Sequence, residues 1–429
     1  MGLIVVILVA IVVAAALVRL WRSRRPPTDS PDAPPDLQET PPSFRILALG
    51  GAGSGKTVFL SSMFHELDHR VPGRCYCLDT SAEERIRLAE IYSTVSDTSR
   101  PFPAGTRVGD MREFIFDCVG ADDSTGAKIP VLRVSYLDYA GEVLERGSDA
   151  GGSTALADLV IEMKQADALL GIIDGYRVRQ LLQGIPAGEA HFRHTLQPLF
   201  GFMANAECPI QLVVTKWDLV RDFGEPADAD DEYRLDRVIA ALKEFEQFNS
   251  LVHDHSRTQA VRLIPVSAVG RGFARIVEGT VSKTEGAHLR PWNVDAPFSA
   301  VLPDLFRQVE ATLDSAPLKA LREEGRKAAR AHRVDLIATT LAGPAALAAQ
   351  KLLAGVYGVP LSRRLTSAYL QWMAAPLNVT KEVLERQDEQ VHTIVAQRQH
   401  LRALVMQDFE RTVRRLEASL PQSELRGTW

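Results

Sequence analysis

The order of apolar and polar positions along the chain predicts buried strands that alternate with amphipathic helices. Four short runs are almost continuously apolar, at residues 46–49, 168–174, 209–215 and 262–266. Runs of this length and character are typical of strands that are buried on both faces of a parallel sheet. Two further runs, at residues 111–119 and 130–138, predict a pair of adjacent strands. The pattern therefore predicts an α/β fold with a mostly parallel sheet flanked by helices.

Helical spacing of apolar positions recurs between and after these strands. Residues 58–67 place their apolar side chains on one face, and further helices are expected at residues 81–95, 191–204 and 298–313. The longest amphipathic pattern covers residues 378–420. Its apolar stripe has two interpretations, packing within a helical domain of the same chain or a surface for a partner or a second copy.

The N-terminal pattern predicts a membrane location. Residues 3–18 are uninterruptedly apolar, and arginines follow at positions 19, 22, 24 and 25 with no Lys or Arg before the run. About 20 apolar residues span a bilayer, and the flank that carries the arginines stays in the cytoplasm. We therefore predict a single-pass protein of the inner membrane with a cytoplasmic remainder. A cleaved signal peptide is the alternative.

These patterns predict an organisation in four parts. The parts are a transmembrane anchor with its basic flank (1–25), a Pro-rich linker (26–43), a phosphate-loop domain (44–316) and a C-terminal helical domain (317–429). Within the last part, residues 336–361 are apolar and rich in small residues. A packed helical hairpin, an interfacial segment and a second span are all open there, although Asp335 and Lys351 would be costly inside lipid.

Composition narrows the classes of function. The chain has 429 residues and a formal net charge of −5. This length predicts about two or three structural units. The negative charge and the lack of a strip of basic and aromatic residues argue against a nucleic-acid partner. Four cysteines, at positions 75, 77, 118 and 208, are too few for a disulfide scaffold and are expected to be reduced thiols.

Residues 50–57 match the phosphate-binding pattern G-x-x-x-x-G-K-[ST]. The glycines let the backbone turn several N–H groups toward one anion, and the following helix adds the positive end of its dipole. Lys56 would reach the β- and γ-phosphates, and Thr57 would place its hydroxyl on Mg²⁺. The strand before the pattern and the helix after it are the context that this motif requires.

Three later motifs follow strand ends. Asp138 ends an apolar strand and Gly141 follows three residues later, so the carboxylate can hold Mg²⁺ through water and the Gly141 N–H can meet the γ-phosphate. Residues 215–218 match [NT]-K-x-D. The carboxylate of Asp218 can accept both the ring N1–H and the exocyclic amine of guanine, whereas adenine would leave it unpaired. Residues 267–268 follow the last strand, where a backbone N–H can meet guanine O6.

In this order, the four motifs resemble a Ras-like P-loop GTPase of the translation-factor-related (TRAFAC) class. The glycine-rich loop, residues 138–142 and the sequence PWNV at 291–294 also resemble bacterial double-GTPase-like proteins. The resemblance implies GTP or GDP and Mg²⁺ as cofactors. Nucleotide contacts are implied for Gly50, Gly53, Ser54, Gly55, Lys56, Thr57, Val58, Thr215, Lys216, Asp218, Ser267 and Ala268. Metal contacts are implied for Thr57 and Asp138, and catalytic roles for Lys56, Gly141 and Glu142.

The sequence departs from this family pattern in three places. The segment between the phosphate loop and Asp138 is longer than in a small Ras-like protein, so the Mg²⁺-binding threonine of the first switch stays open among Thr94, Thr98 and Thr106. Glu142 stands where fast family members place a water-orienting Gln, which predicts slow hydrolysis. Residues 271–297 form an insertion before the last predicted helix.

The function expected from the sequence is a membrane-anchored cytoplasmic GTPase that acts as a switch or assembly factor. A nucleotide-bound membrane scaffold with little hydrolysis is the alternative, and Glu142 favours it. An ATPase that uses the same loop is a third hypothesis, against which Asp218 argues. Expected partners are the guanine nucleotide, the membrane, and proteins that bind the switch region and the C-terminal helices. Nucleic acid is not expected.

Overall fold

The computed structural model describes residues 41, 43–103, 112–121, 128–139, 150–223, 230–257, 259–303 and 389–426. These residues form a mixed α/β fold around one large sheet. The predicted anchor (1–25), most of the predicted linker and residues 336–361 lie outside the described ranges.

The predicted single-pass location in the inner membrane is corrected by the structure. Across the described ranges, no helix combines the length and the apolar character that a bilayer span requires. The apolar run on which the expectation rested, residues 3–18, is not among the described residues. A membrane location therefore has no support in the structure.

Eight strands form the main sheet, and two form a separate hairpin. The strands are β1 Ser43–Gly50, β2 Tyr76–Asp79, β3 Arg112–Ala121, β4 Lys128–Asp138, β5 Ala168–Asp174, β6 Ile210–Thr215, β7 Val261–Pro265, β8 Ala274–Val277, β9 Thr280–Lys283 and β10 Glu424–Leu425. The order across the main sheet is β10-β7-β6-β5-β1-β4-β3-β2, and β8 pairs with β9.

The centre of the sheet is parallel and its two edges are antiparallel. Strand β1 pairs in parallel with β4 and β5, and the parallel pairing continues through β6 to β7. Every residue of β5, β6 and β7 is buried, which is why these strands have almost continuously apolar sequences. The β2–β3, β3–β4 and β7–β10 pairs are antiparallel. The predicted mixed α/β fold with a mostly parallel sheet is confirmed.

Helices connect the strands and cover the sheet. They are α1 Lys56–Leu67, α2 Ala82–Ser96, α3 Ala150–Gln165, α4 Gly175–Leu182, α5 Pro186–His191, α6 Gln197–Met203, α7 Trp217–Arg221, α8 Asp231–Lys243, α9 Glu246–Ser256 and α10 Glu389–Ser419. A π-helical turn, Phe192–Leu196, joins α5 to α6. Another helix begins at Ala296 and is described as far as residue 303. Helix α2 begins after Ser81, whose hydroxyl accepts a hydrogen bond from the Glu84 N–H.

The C-terminal helix α10 packs on the same core as the sheet. The buried apolar residues described on α10 and directly after its end are Leu401, Val405, Phe409, Val413, Leu416 and Leu420. The Phe409 ring lies 4.8 Å from Tyr76 and 6.0 Å from Phe298, measured between ring centroids. The buried Arg262 of β7 pairs with Glu417 at 2.8 Å. The apolar stripe thus packs against the sheet of the same chain.

Polar contacts fix α10 near the β2 edge of the sheet. The backbone N–H of Cys75 donates to Asp408 Oδ2 at 2.7 Å. Burial and this carboxylate raise the pKa of the Cys75 thiol to about 12. All four cysteines of the chain are free, as the sequence predicts.

We expect Phe409→Ala to lower the free energy of unfolding by about 3–5 kcal/mol, the usual cost of truncating a fully buried aromatic side chain. Phe409 has 0% exposure and contacts two other rings. Urea unfolding of both proteins measures the effect. Gln407→Ala, at an exposed position of the same helix, is the control and should change little. A loss below about 1 kcal/mol for the Phe409 variant would contradict the packing of α10 as part of the core.

Candidate functional site

The loop between β1 and α1 has the backbone shape that a bound anion requires. Gly53 and Gly55 adopt left-handed conformations, with φ of 67° and 87°. A side chain at Gly50 would place its Cβ 2.6 Å from the carbonyl oxygen of Ile172 on β5. The loop therefore needs glycine both for its turn and for close approach to the neighbouring strand. Helix α1 begins directly after it, so its N–H groups face the same hollow.

Lys56 lies inside this loop. It is 6% exposed, and its Nζ donates to the carbonyl oxygens of Gly50 at 2.8 Å and Gly51 at 3.2 Å. These bonds hold the ammonium group within the loop, and Lys56 lines the cavity that the loop borders. A lysine ammonium group is a charged donor that suits a multiply charged anion.

Thr57 and Asp138 meet beside the loop. The Thr57 hydroxyl donates to Asp138 Oδ2 at 2.9 Å. Asp138 is 2% exposed, and within the described residues its Oδ1 has no hydrogen-bond partner. Burial raises the pKa of Asp138, and Lys56 and the Thr57 hydrogen bond oppose that rise. A hydroxyl and a buried carboxylate with an open oxygen fit a small divalent cation that prefers oxygen ligands, such as Mg²⁺.

A second loop, after β6, is bonded to the first. The Thr215 hydroxyl donates to the Ser54 carbonyl at 2.6 Å. Lys216 has a left-handed backbone conformation, with φ of 51°, which is uncommon for a residue with a Cβ. Its Nζ donates to the Gly53 carbonyl at 2.7 Å and to Asp174 Oδ2 at 2.9 Å. Lys216 thus connects the two loops to the end of β5.

Asp218 is buried in the first turn of α7, directly after the second loop. It is 4% exposed, and its Oδ1 accepts a hydrogen bond from the Ser267 hydroxyl at 2.6 Å. Its Oδ2 has no hydrogen-bond partner in the part of the chain that the structure describes. Burial raises the pKa of Asp218 to about 6. A buried carboxylate oxygen without a donor is costly in the ligand-free protein, which makes this position a candidate ligand contact.

The two loops border one cavity of about 590 Å³. The sequence-predicted residues that line it are Gly53, Ser54, Gly55, Lys56, Thr57, Val58, Thr215, Lys216, Asp218 and Ala268. Gly50 supports the loop from β1. The N–H of Ser267 donates to the Trp292 carbonyl at 3.1 Å, so the N–H proposed for guanine O6 is that of Ala268. Ser267 reaches the site through its bond to Asp218.

Other predicted residues fall elsewhere. Gly141, Glu142 and Thr106 lie outside the described residues. Thr94 belongs to α2, and the Thr98 hydroxyl lies 3.4 Å from the N–H of Gly286. Neither of these two threonines is among the residues that line the cavity.

Several cavity residues were not found from the sequence. They are Ile91, Phe102, Pro103, Arg112, Leu219, Val269, Ala274 and Val281. Most are apolar residues in segments without a recognisable motif, so no sequence signal distinguishes them from core residues. Asp174 was also missed. Its position at the end of an apolar strand was the available signal, since carboxyl ends of parallel strands are common ligand sites.

No protein-family model matches this sequence, nor does any curated protein sequence. Among solved structures, the fold is similar to the Ski7 GTPase-like domain of S. cerevisiae bound to GTP, with a TM-score of 0.33, 14% identity, and coverage of 58% of this chain and 48% of that one. For the same domain bound to GDP and inorganic phosphate, the TM-score is 0.31, the identity 13%, and the coverage 53% of this chain and 43% of that one.

The fold is also similar to Era in complex with MgGDPNP and nucleotides 1506–1542 of 16S ribosomal RNA. The TM-score is 0.26, the identity 17%, and the coverage 53% of this chain and 52% of that one. The present chain thus spans about half the length of these solved chains. These likenesses are partial and concern the fold alone.

The raised pKa of Asp218 predicts a pH-dependent stability of the ligand-free protein. The carboxyl ionises near pH 6 in the folded state and near 3.9 in the unfolded state. Between these values the folded state holds a proton that the unfolded state has lost, so the free energy of unfolding falls as pH rises. Asp218→Asn removes this titration. As pH rises from 4 to 7, we expect the free energy of unfolding of the variant to increase by about 2–3 kcal/mol relative to that of wild type.

Urea unfolding over this pH range measures the difference. Asp138, whose pKa is also raised, is present in both proteins and so does not affect the comparison. The control is Asp236→Asn, at an exposed position of α8, which should keep a constant offset from wild type. Parallel pH profiles for wild type and the Asp218 variant would show that Asp218 does not titrate in this window.

Proposed function

We propose that this protein binds a guanine nucleotide with Mg²⁺ and hydrolyses GTP to GDP, acting as a switch or assembly factor. One observation carries the proposal. A single cavity has a phosphate loop at one end and, at the other, a buried carboxylate with one oxygen that has no donor among the described residues. The phosphates and the base of one nucleotide would satisfy both ends.

The phosphate end supports this proposal through charge and hydrogen-bond donors. Lys56 and the N-terminal N–H groups of α1 would hold the phosphates. Thr57 and Asp138 would hold Mg²⁺, directly or through water. The ion neutralises charge on the phosphate oxygens when it is bound. Arg112, the first residue of β3, also lines the cavity, and its charge opposes the raised pKa of Asp138.

The base end supports guanine over adenine. Guanine presents two N–H donors to one carboxylate, and Asp218 Oδ1 is already held in place by Ser267. The Ser267 hydroxyl in turn accepts the N–H of Gly270 at 2.8 Å, which fixes its donor direction. Adenine would leave a buried carboxylate oxygen without a donor and would lose affinity. An ATPase that uses the same phosphate loop is therefore disfavoured.

The alternative is a nucleotide-bound scaffold with little hydrolysis. Both functions need the same cavity, so binding alone does not separate them. Arg112 favours hydrolysis, because a cation near the terminal phosphate stabilises the charge that develops during phosphoryl transfer. Single-turnover hydrolysis of GTP by the Mg²⁺-loaded protein separates the two functions. A bound nucleotide that stays GTP over hours would support the scaffold.

The position of α10 excludes its apolar stripe as a binding surface for a protein partner. The six buried apolar side chains on and directly after this helix already contact the core, so they do not offer an open surface. Protein partners are therefore proposed to bind at the switch region and at exposed positions of the C-terminal helices. The net charge of −5 remains the reason to expect no nucleic acid.

We expect Lys56→Ala to reduce GTP affinity by at least several hundredfold, because a desolvated phosphate would lose its charged donor. Isothermal titration with Mg²⁺ and a non-hydrolysable GTP analogue measures the change. Lys128→Ala, at an exposed position on β4, is the matched control. Circular dichroism checks that the Lys56 variant remains folded. Unchanged affinity in that variant would refute phosphate binding by the loop.

We expect Asp218→Asn to change the base preference of the site from guanine to xanthine. Xanthine has a carbonyl in place of the exocyclic amine, so it repels the carboxylate but can accept from the Asn amide. GTP affinity should fall by about 1–3 kcal/mol or more, and XTP affinity should rise. Competition of GTP, XTP and ATP against a fluorescent guanine nucleotide measures these preferences. Equal wild-type affinity for ATP and GTP would refute the guanine assignment even if the phosphate loop binds.

A further inference from the structure

The hairpin β8–β9 forms part of the cavity wall. Its strands pair from Ala274 with Lys283 to Val277 with Thr280. Ala274 and Val281, one from each strand, line the cavity together with Ile91 of α2 and Phe102. These four apolar residues are called the apolar wall below. Strand β8 contacts α7, which carries Asp218, and Val269 packs with Ile91, Phe102 and Ala274. The wall therefore borders the end that is proposed to hold the base.

The hairpin is held against the rest of the domain at both of its ends. At its turn, the Tyr176 hydroxyl of α4 donates to the Gly279 carbonyl at 2.6 Å. At its base, the fully buried Phe273 packs in a small cluster with Val95 of α2 and Val269. The Phe273 ring also contacts Phe102 edge-on, with 6.4 Å between ring centroids. The hairpin is therefore connected both to the base end of the cavity and to α2.

Lys283 makes the polar connection between the hairpin and α2. It is 9% exposed, and its Nζ donates to the carbonyls of Thr94 at 2.5 Å and Asp97 at 2.9 Å. These carbonyls belong to the C-terminal end of α2, where a positive charge is favourable. The same ammonium lies 5.2 Å from the centroid of the Phe102 ring. One side chain thus holds the end of α2 and one residue of the apolar wall.

We propose that Lys283 is a positioning residue for the bound nucleotide, which it retains by keeping Phe102 and α2 closed against the hairpin. The inference rests on the proposed function. The apolar wall forms one part of the cavity border, so a ligand held against it loses those contacts when α2 and the hairpin separate. Separating α2 from the hairpin breaks two charged hydrogen bonds and a cation–π contact, so Lys283 should act mainly on the dissociation rate.

The apolar wall also explains how Asp218 could discriminate between bases. Apolar side chains beside the base keep water away from the Asp218 carboxylate. A mismatched base would then leave that carboxylate without a solvent donor, which raises the cost of the mismatch. Opening the wall should therefore weaken base preference as well as retention.

The test measures dissociation of tritiated GDP from the full chain, chased with excess unlabelled GDP in Mg²⁺. An unmodified ribose avoids a fluorophore that would touch the apolar wall. We expect Lys283→Met, which keeps the stem but removes the charge, to raise the dissociation rate by about tenfold or more. The association rate should change by less than about threefold. Lys283→Arg, which keeps charge and donors, should restore most of the retention.

Arg275→Met is the matched control, since Arg275 lies on the same hairpin and is exposed. It should leave dissociation unchanged. Phe102→Leu is a second variant that keeps an apolar side chain. It should also speed dissociation. In the double variant with Lys283→Met, the fold-increase in the dissociation rate should be smaller than the product of the two single fold-increases, because both changes act on one contact.

The outcomes separate this inference from the proposed function. If wild type does not retain GDP, the proposed function fails. If wild type retains GDP and Lys283→Met dissociates at the same rate, the positioning role is refuted. A Lys283→Met variant that loses thermal stability yet keeps the wild-type dissociation rate would show that Lys283 is only structural. Faster dissociation, rescued by Arg, supports the proposal.

Discussion

The geometry of the cavity depends on the bonds that join its two loops. Thr215 and Lys216 donate to the carbonyls of Ser54 and Gly53, which are more than 160 positions away in the chain. The bonds are possible because β1, β5 and β6 are adjacent and parallel, so their carboxyl ends meet at one edge of the sheet. The left-handed backbone of Lys216 is costly by itself. The two bonds of its side chain offset that cost, so the strained position and the joined loops depend on each other.

The parts of the fold that the sequence predicts are those whose signal is local. Strands β5, β6 and β7 are buried on both faces and therefore have apolar sequences, and the loop at 50–57 carries its requirement for glycine and lysine within eight residues. Helix α2 was predicted within one residue from the spacing of its apolar positions, and the structure shows that Ser81 caps it. Phe102 and the hairpin residues gave no such signal. Their role comes from packing between distant segments, and an Ala or a Val carries no chemistry that a pattern could reveal.

For helix α10 the sequence predicts the helix itself but not the surface on which it packs. The spacing of its apolar residues predicts a helix with one buried face, but such a stripe fits any apolar surface of suitable shape. Which surface it covers is decided by contacts such as that between Cys75 and Asp408, 333 positions apart. The short strand β10 then adds to β7 and covers one edge of the sheet, which limits unwanted pairing of that edge with other chains.

Asp138 and Asp218 are positions at which the fold without a ligand is less stable than it could be. Each is buried, and each has one carboxylate oxygen without a hydrogen-bond donor among the described residues. In a core selected only for stability, such oxygens would be paired or replaced by apolar groups. Asp138 is bonded to Thr57, which lines the cavity, and Asp218 lines the same cavity and is bonded to Ser267. A single ligand with a cation at one end and N–H donors at the other would satisfy both, so binding and folding are expected to stabilise each other.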